Sequence, residues 1–287
     1  MTLLPLIEVC SARLQEAGVS FGHGTTNAFD EAAWLVLWRL GLPLDDLDSA
    51  AGRELTSAEQ SAIEALIEQR ISTRKPAAYL TGEAWLQGQP FDVDERVIVP
   101  RSLIAEPLCD GTLDTWLAGP PRRVLDLCTG SAALAVLAAL VWPDARIDAS
   151  DLSVDALAVA RRNLARHGLG DRIQLHQGDG LAAVPGQRFD LILCNPPYVT
   201  RASMLALPDE YRAEPALALD GGVDGMDFIR RLLRRVGHSL RDGGALVLEV
   251  GHERAHFEAA FPNLQPVWLP TSAGDEQVLL LMQEQLA

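Results

Sequence analysis

From Arg123 to the C-terminal end, short apolar runs alternate with helical patterns, and this alternation limits the possible folds more than any other feature of the chain. Arg123-Val124-Leu125-Asp126-Leu127 precedes a helical stretch from Ala133 to Val141, and Ala145-Arg146-Ile147-Asp148-Ala149 precedes another from Val154 to His167. Ile173-Gln174-Leu175 comes before Leu181, Phe189 to Cys194 follows, and Ala245 to Val250 comes after a helical pattern from Phe228 to Leu240. Parallel strands need crossovers, and helices are the usual crossovers. The pattern therefore predicts an α/β fold: a mostly parallel sheet with helices on both faces. Val267-Trp268-Leu269 and Gln277 to Met282 are expected to add a terminal antiparallel pair.

The first part of the chain reads differently. Apolar periodicity predicts helices from Leu3 to Ala17, Phe29 to Leu40 and Ser57 to Thr73, with start signals at Asp30-Glu31 and at Thr56-Ser57 followed by Glu59-Gln60. Residues 1–75 are thus expected to form a small helical domain. Tyr79-Leu80-Thr81 and Phe91-Asp92-Val93 look like strands around the turn cluster Gln87-Gly88-Gln89-Pro90, so residues 76–100 read as a linking β-hairpin before a third region, 101–287.

Composition narrows the function. The 287 residues are 48% hydrophobic and 22% charged, no long uncharged apolar stretch occurs, and Met1-Thr2-Leu3-Leu4-Pro5 lacks a basic leader, so a cytoplasmic protein with no membrane contact is expected. Cys10, Cys109, Cys128 and Cys194 show no C-x-x-C spacing and read as reduced thiols. His252 and His256 are four apart, a spacing that suits a metal or a solvated helix face, and no metal is expected. A formal charge of −15 repels a phosphate backbone, so direct DNA binding is not expected and a basic partner is. Arg230, Arg231, Arg234 and Arg235 cluster on one predicted helix and read as a solvated face.

In an open parallel sheet, ligands sit beyond the carboxyl ends of the strands, and the residues that can carry chemistry fall there. Asn195-Pro196-Pro197-Tyr198 follows the run ending at Cys194. An Asn side-chain oxygen and the Pro196 carbonyl in a rigid turn can accept both hydrogens of a planar NH2 group; the plainer reading is an ordinary loop start. Cys128-Thr129-Gly130-Ser131-Ala132 opens a helix, where backbone N–H groups suit a carboxylate or form a simple strand-to-helix turn. Asp151 lies at the offset where a carboxylate accepts from ribose hydroxyls, though Asp151 or Ser153 can equally cap a helix. Asp179, before Gly180, can accept from an adenine amino group or form an Asx turn. There is no Walker-type phosphate cradle.

These motifs resemble the class I, Rossmann-like S-adenosylmethionine-dependent methyltransferases, and within them the N5-glutamine methyltransferases that modify translation proteins. The resemblance covers almost the whole chain. Gly22-His23-Gly24-Thr25 followed by Asn27 and Asp30-Glu31-Ala32, Val99-Pro100-Arg101-Ser102, and Asp126-Leu127-Cys128-Thr129-Gly130-Ser131 resemble the branch acting on large-subunit ribosomal protein L-three. The release-factor branch typically has Gly at the position of Cys128 and Pro-Glu-Thr-Glu after the Arg equivalent to Arg101; neither is present. The resemblance implies that Cys128 to Ala132 lie along the methionine part of the cofactor and that Asp151 binds ribose. It also implies that Asp179 and Gly180 flank adenine and that Asn195 to Tyr198 hold the substrate Gln. Glu214-Pro215 and Asp220-Gly221-Gly222 resemble family segments without an assigned task.

A glutamine amide nitrogen is a poor nucleophile, so Asn195 and Pro196 are expected to act by orientation, with Tyr198 stacking on the amide and Arg101 steadying loop or substrate. The family usually has Gly where this chain has Ala132, which costs the loop backbone latitude; a methyl there is accommodated if φ is negative, as expected in a first helical turn, and otherwise crowds the cofactor. The alternatives are a release-factor methyltransferase, a nucleic-acid adenine-N6 methyltransferase, and a non-catalytic interaction protein that has lost cofactor binding. A basic groove distinguishes the second, and cofactor titration the third.

Overall fold

The computed structural model describes residues 1–286. In chain order the elements begin with helices α1 (Leu3–Glu16), α2 (Ala28–Leu40), α3 (Leu47–Ala50), α4 (Ser57–Thr73) and α5 (Ala77–Thr81), then strands β1 (Glu83–Leu86) and β2 (Gln89–Asp92). Next come α6 (Ala105–Cys109), β3 (Arg123–Leu127), α7 (Ala133–Val141), β4 (Arg146–Asp151), α8 (Val154–Arg166), β5 (Ile173–Gln177) and β6 (Phe189–Cys194). The chain ends through α9 (Arg201–Ala206), α10 (Asp209–Arg212), α11 (Asp227–Leu233), α12 (Val236–Ser239), β7 (Leu240–Glu249), α13 (Arg254–Ala260), β8 (Val267–Thr271) and β9 (Gly274–Met282).

These elements form two compact units. One comprises Met1–Ala84 with Leu207–Ala213, the other Trp85–Ala206 with the chain from Glu214 onward.

The first unit is helical because its caps and apolar faces agree. Asn27 accepts the Asp30 amide at the start of α2, and Gly41 ends that helix in the left-handed region at φ 64°. Thr56 and Glu59 form a reciprocal capping box at the start of α4, which also holds the Glu59 carboxyl below its usual range. Leu6, Ile7, Leu35, Val36, Ile63 and Ile67 meet in one core. Arg70 is fully buried in the same unit, donating to Glu31 at 2.8 Å, Glu210 at 3.2 Å and the Ser20 carbonyl at 3.0 Å. Its charge is compensated on every side, as a buried guanidinium requires.

The second unit is a seven-stranded sheet in the order β5-β4-β3-β6-β7-β9-β8. The five strands from β5 to β7 are parallel, and β9 runs antiparallel to both β7 and β8, so the expected terminal pair is present. Strand order reverses at β3, which has β4 on one side and β6 on the other. Such a switch point opens a crevice at the carboxyl ends of the strands. Leu125, Leu127, Ile192, Leu246 and Leu248 are buried in the core that underlies it.

Two local expectations differ from the structure. Tyr79-Leu80-Thr81 is helical rather than extended: Pro76 presets a helix entry, Ala77-Ala78 favour helix, and Gly82 stops the turn at φ 75°. The hairpin instead pairs β1 with β2 around Gln87-Gly88, both at positive φ, so Gln89 and Pro90 lie in the strand and not in the turn. The helix anticipated from Phe228 to Leu240 is broken between Leu233 and Val236, and Leu240 already begins β7.

Candidate active site

A cleft of about 300 Å³ lies at the carboxyl ends of β3, β4, β5 and β6. Among the residues anticipated from sequence, Cys128, Gly130, Asp151, Asp179, Gly180, Asn195 and Pro197 line it. Thr129, Ser131 and Ala132, from the same loop as Cys128, are buried and do not line it; neither do Pro196, Tyr198 and Arg101.

The loop after β3 takes its shape from two carboxylates. Asp126, fully buried at the end of the strand, accepts the Thr129 hydroxyl at 2.5 Å and the Ala135 amide at 3.0 Å, tying loop and first helical turn to the sheet. Asp151, at the end of β4, accepts the Gly130 amide at 2.9 Å through one oxygen and the Ser153 amide at 2.9 Å through the other. Ser153, and not Asp151, is the cap of α8. Each Asp151 oxygen keeps a lone pair for a further donor while the residue lines the cleft. Burial pushes the Asp151 carboxyl above its usual range, and it pushes Asp126 up to about 7, with the Asp151 charge adding to the effect.

Pinned this way, the loop has Cys128, Gly130 and Ala132 in the left-handed region, at φ 59°, 54° and 66°. The negative φ expected at Ala132 is therefore corrected: it is the residue capping α7, outside the helix, and its methyl sits where an L-residue is strained. The methyl is fully buried and away from the cleft, so it strains the loop without narrowing the binding space.

Asn195 follows the last residue of β6 and faces the cleft half-buried. Among the described residues no protein group hydrogen-bonds its side chain, whereas the carboxylates around it are engaged. Asp179 is largely exposed and carries no cap bond; Arg231 of α11 reaches it at 3.4 Å and leans on the Phe228 ring, which forms an apolar wall of the cleft. The anticipated solvated arginine face is thus partly used, since Arg230 also pairs with Asp224.

Three functional side chains stood out little in the sequence. Glu214 takes Arg101 in a two-pronged ion pair at 2.6 and 2.7 Å and also accepts the Val99 amide at 2.9 Å. Glu249, at the end of β7, accepts from Ser102, Leu103 and Tyr198. Phe228 appeared only as a helix start. The one available signal was an acidic residue at or next to the end of an apolar strand, which Asp126 and Glu249 share.

All four cysteines are free thiols; Cys109 is exposed, and burial pushes the Cys194 thiol up. Among the described residues no group of three or more His, Cys, Asp or Glu could hold a metal ion, and His256 bonds Glu253 instead of pairing with His252.

Residues 112–208 match the family model "Methyltransferase small domain" and residues 6–82 match "PrmC N-terminal domain". The "Ribosomal protein uL3 glutamine methyltransferase" of Bordetella pertussis is 56% identical over 99% of this chain and 96% of its own length. The chain belongs to the ribosomal protein uL3 glutamine methyltransferase family. The Burkholderia pseudomallei member is 51% identical over 99% of this chain and 95% of its own. Among solved structures, the "hMettl16 catalytic domain in complex with MAT2A 3'UTR hairpin 6" is similar with a TM-score of 0.52 at 14% identity, covering 80% of this chain and 84% of that one. That likeness is one of fold, and it agrees with the mostly parallel sheet anticipated from the strand pattern and with the class I architecture that the motif resemblance implies.

Two predictions follow from the loop. Because the Asp126 carboxyl is raised in the folded protein, the native state holds one more proton than the unfolded chain between about pH 4 and 7. Stability should fall through that window by up to about 1.4 kcal/mol per pH unit and stay low above it. In Asp126→Asn both native contacts can go to one amide oxygen, so chemical denaturation should show the variant gaining about 2 kcal/mol relative to wild type between pH 5 and 8; an unchanged difference would mean that Asp126 does not titrate there. Ala132→Gly should stabilise the protein by about 1 kcal/mol by relieving the left-handed backbone, with cofactor affinity within about two-fold because the methyl lies outside the cleft. A loss of stability would contradict the strain.

Proposed function

We propose that this methyltransferase moves a methyl group from S-adenosylmethionine to the side-chain amide of a Gln in large-subunit ribosomal protein uL3. The observation that carries the reading is Asn195: a polar side chain at a parallel strand end, free of protein partners, facing a cleft bounded by the Cys128–Gly130 loop, Asp151 and Asp179. A neutral acceptor at that place suits a neutral NH2 donor.

The cleft fits the cofactor by its chemistry. The Asp151 oxygens can accept ribose hydroxyls, Gly180 and the Phe228 ring flank a flat apolar base, and Asp179 can accept its amino group. Cys128 and Gly130 leave room along the methionine part, and the carboxylates favour a cation. When bound, the cofactor supplies an electrophilic methyl group.

The chain's own contribution is orientation. Asn195 and the Pro196 carbonyl accept the two amide hydrogens, which fixes the nitrogen and favours positive charge growing on it. Tyr198 lies outside the cleft lining and supports the turn from behind, with its hydroxyl on Glu249. Arg101 acts through Glu214, holding the chain that returns after the Asn-Pro-Pro-Tyr turn, and reaches the substrate only through that loop. The helical residues 1–75 select the substrate protein.

Charge supports a protein acceptor. At formal charge −15 the enzyme attracts a basic ribosomal protein over long range and repels exposed nucleic acid. We place the protein in the cytoplasm; among the described residues no helix is long and apolar enough to cross a membrane.

The test compares methyl incorporation into isolated uL3, the mature large subunit, a release factor and duplex DNA. Isolated uL3 should label at least about ten-fold faster than the others, with a rate that falls as salt screens the attraction. Preferential labelling of the release factor or of DNA would overturn the assignment.

A further inference from the structure

The most restrained side chain near the acceptor turn is Tyr198, and the residue that restrains it lies on a different strand. In the parallel pairing of β6 and β7, Cys194 stands opposite Leu248, so the next residues along are Asn195 and Glu249. Glu249 is paired across to Val278 of β9, which fixes its backbone on that side. Its side chain is buried, at 4% exposure. One oxygen accepts the Ser102 hydroxyl at 2.6 Å and the Leu103 amide at 2.9 Å; the other accepts the Tyr198 hydroxyl at 2.9 Å.

The tyrosine is gripped elsewhere too. Its ring lies against the backbone of Gly251, where φ is 54° and a Cβ would collide with the ring. Its carbonyl meets the Gly225 backbone so closely that a Cβ there would collide as well. The hydroxyl, ring face and backbone of one half-buried residue are therefore all fixed by separate segments.

The Tyr198 hydroxyl is buried, and a neutral carbonyl could satisfy it at little cost. Here a carboxylate is desolvated instead, and burial raises its pKa, a standing penalty on the folded state. A buried, fully bonded carboxylate holds its donor in one direction, which is how supporting groups fix the orientation of the residues that touch substrate.

We propose that Glu249 is a positioning residue for methyl transfer: by holding the Tyr198 hydroxyl it sets the ring and, through the intervening prolines, the direction of Asn195. This rests on the acceptor reading given above. Ser102 and Leu103 act one step further back, holding the carboxylate that holds the tyrosine. In Glu249→Gln the two donors on one oxygen keep the amide oxygen there, so the NH2 group faces the tyrosine and its hydroxyl must turn from donor to acceptor. The charge-assisted bond is replaced by a weaker neutral one of reversed polarity, so the ring is held less firmly although volume and packing are unchanged.

The experiment is a double-mutant cycle of Glu249→Gln and Tyr198→Phe, measuring kcat and KM for uL3, S-adenosylmethionine affinity and thermal unfolding. Each single variant should lower kcat about ten-fold, as expected for a small misplacement of the reacting groups. KM and cofactor affinity should stay within about two-fold, and the double variant should be no slower than the slower single one, because both act through the same contact. A Glu249→Gln enzyme with kcat within about two-fold of wild type, or losses that multiply in the double variant, would overturn the inference. If Glu249→Gln does not fold, Ser102→Ala replaces it in the same cycle, with the same non-additivity expected and multiplication again overturning it. Wild-type turnover of uL3 is the control: its absence defeats the acceptor reading and this inference with it, whereas wild-type turnover with a normal Glu249→Gln defeats this inference alone.

Discussion

One buried carboxylate shapes the ligand-binding end of the sheet. Asp126 accepts both the Thr129 hydroxyl and the Ala135 amide, and that double contact brackets a stretch in which Gly130 and Ala132 are left-handed. The loop then presents Gly130 to Asp151, whose carboxylate completes the clamp from the neighbouring strand. Without the first contact there is no fixed loop for the second to meet. The cost is a carboxyl whose burial pushes it up to about 7 and a strained alanine, both tolerated because the sheet underneath is fully packed.

The acceptor side is held by a second set of carboxylates, placed differently. Arg101 and Ser102 are adjacent in the chain and reach two different acids: Arg101 pairs with Glu214 and Ser102 donates to Glu249. Glu214 follows the Asn-Pro-Pro-Tyr turn by a short stretch of chain, and Glu249 ends the next strand of the sheet. A single short segment thus braces both the return loop and the tyrosine. Asn195 lies in the cleft between these two sets, and among the described residues no protein group hydrogen-bonds its side chain.

Much of this was legible in the sequence where the signal is local. The strands Arg123–Leu127 and Phe189–Cys194 and the helices Ala133–Val141 and Ser57–Thr73 have the bounds read from periodicity, because apolar runs bounded by polar or turn residues leave little choice. Tyr79–Thr81 misled because aromatic and β-branched residues suggest strand, while the preceding Pro-Ala-Ala starts a helix. The left-handed Ala132 was hidden because nothing in an alanine announces a positive φ; only the distant contacts that pin the loop impose it. The pairs that shape the acceptor side were hidden for the same reason, since Arg101 and Glu214 are 113 residues apart and Ser102 and Glu249 are 147 apart. Sequence reading named residues that line the cleft, such as Asp151 and Asn195, together with others that do not, such as Thr129 and Tyr198, and gave no task to the buried acids Glu214 and Glu249.

Asn195 gives the most direct test of how the cleft and the acceptor turn work together. Stopped-flow turnover of uL3 by Asn195→Ala, set beside calorimetric binding of S-adenosylmethionine, separates acceptor orientation from cofactor binding. The loss of a contact made chiefly in the transition state predicts kcat lower by about a hundred-fold with cofactor affinity within about three-fold of wild type. A near-normal kcat, or a loss explained by weakened cofactor binding alone, would contradict the assignment of Asn195 to the acceptor amide.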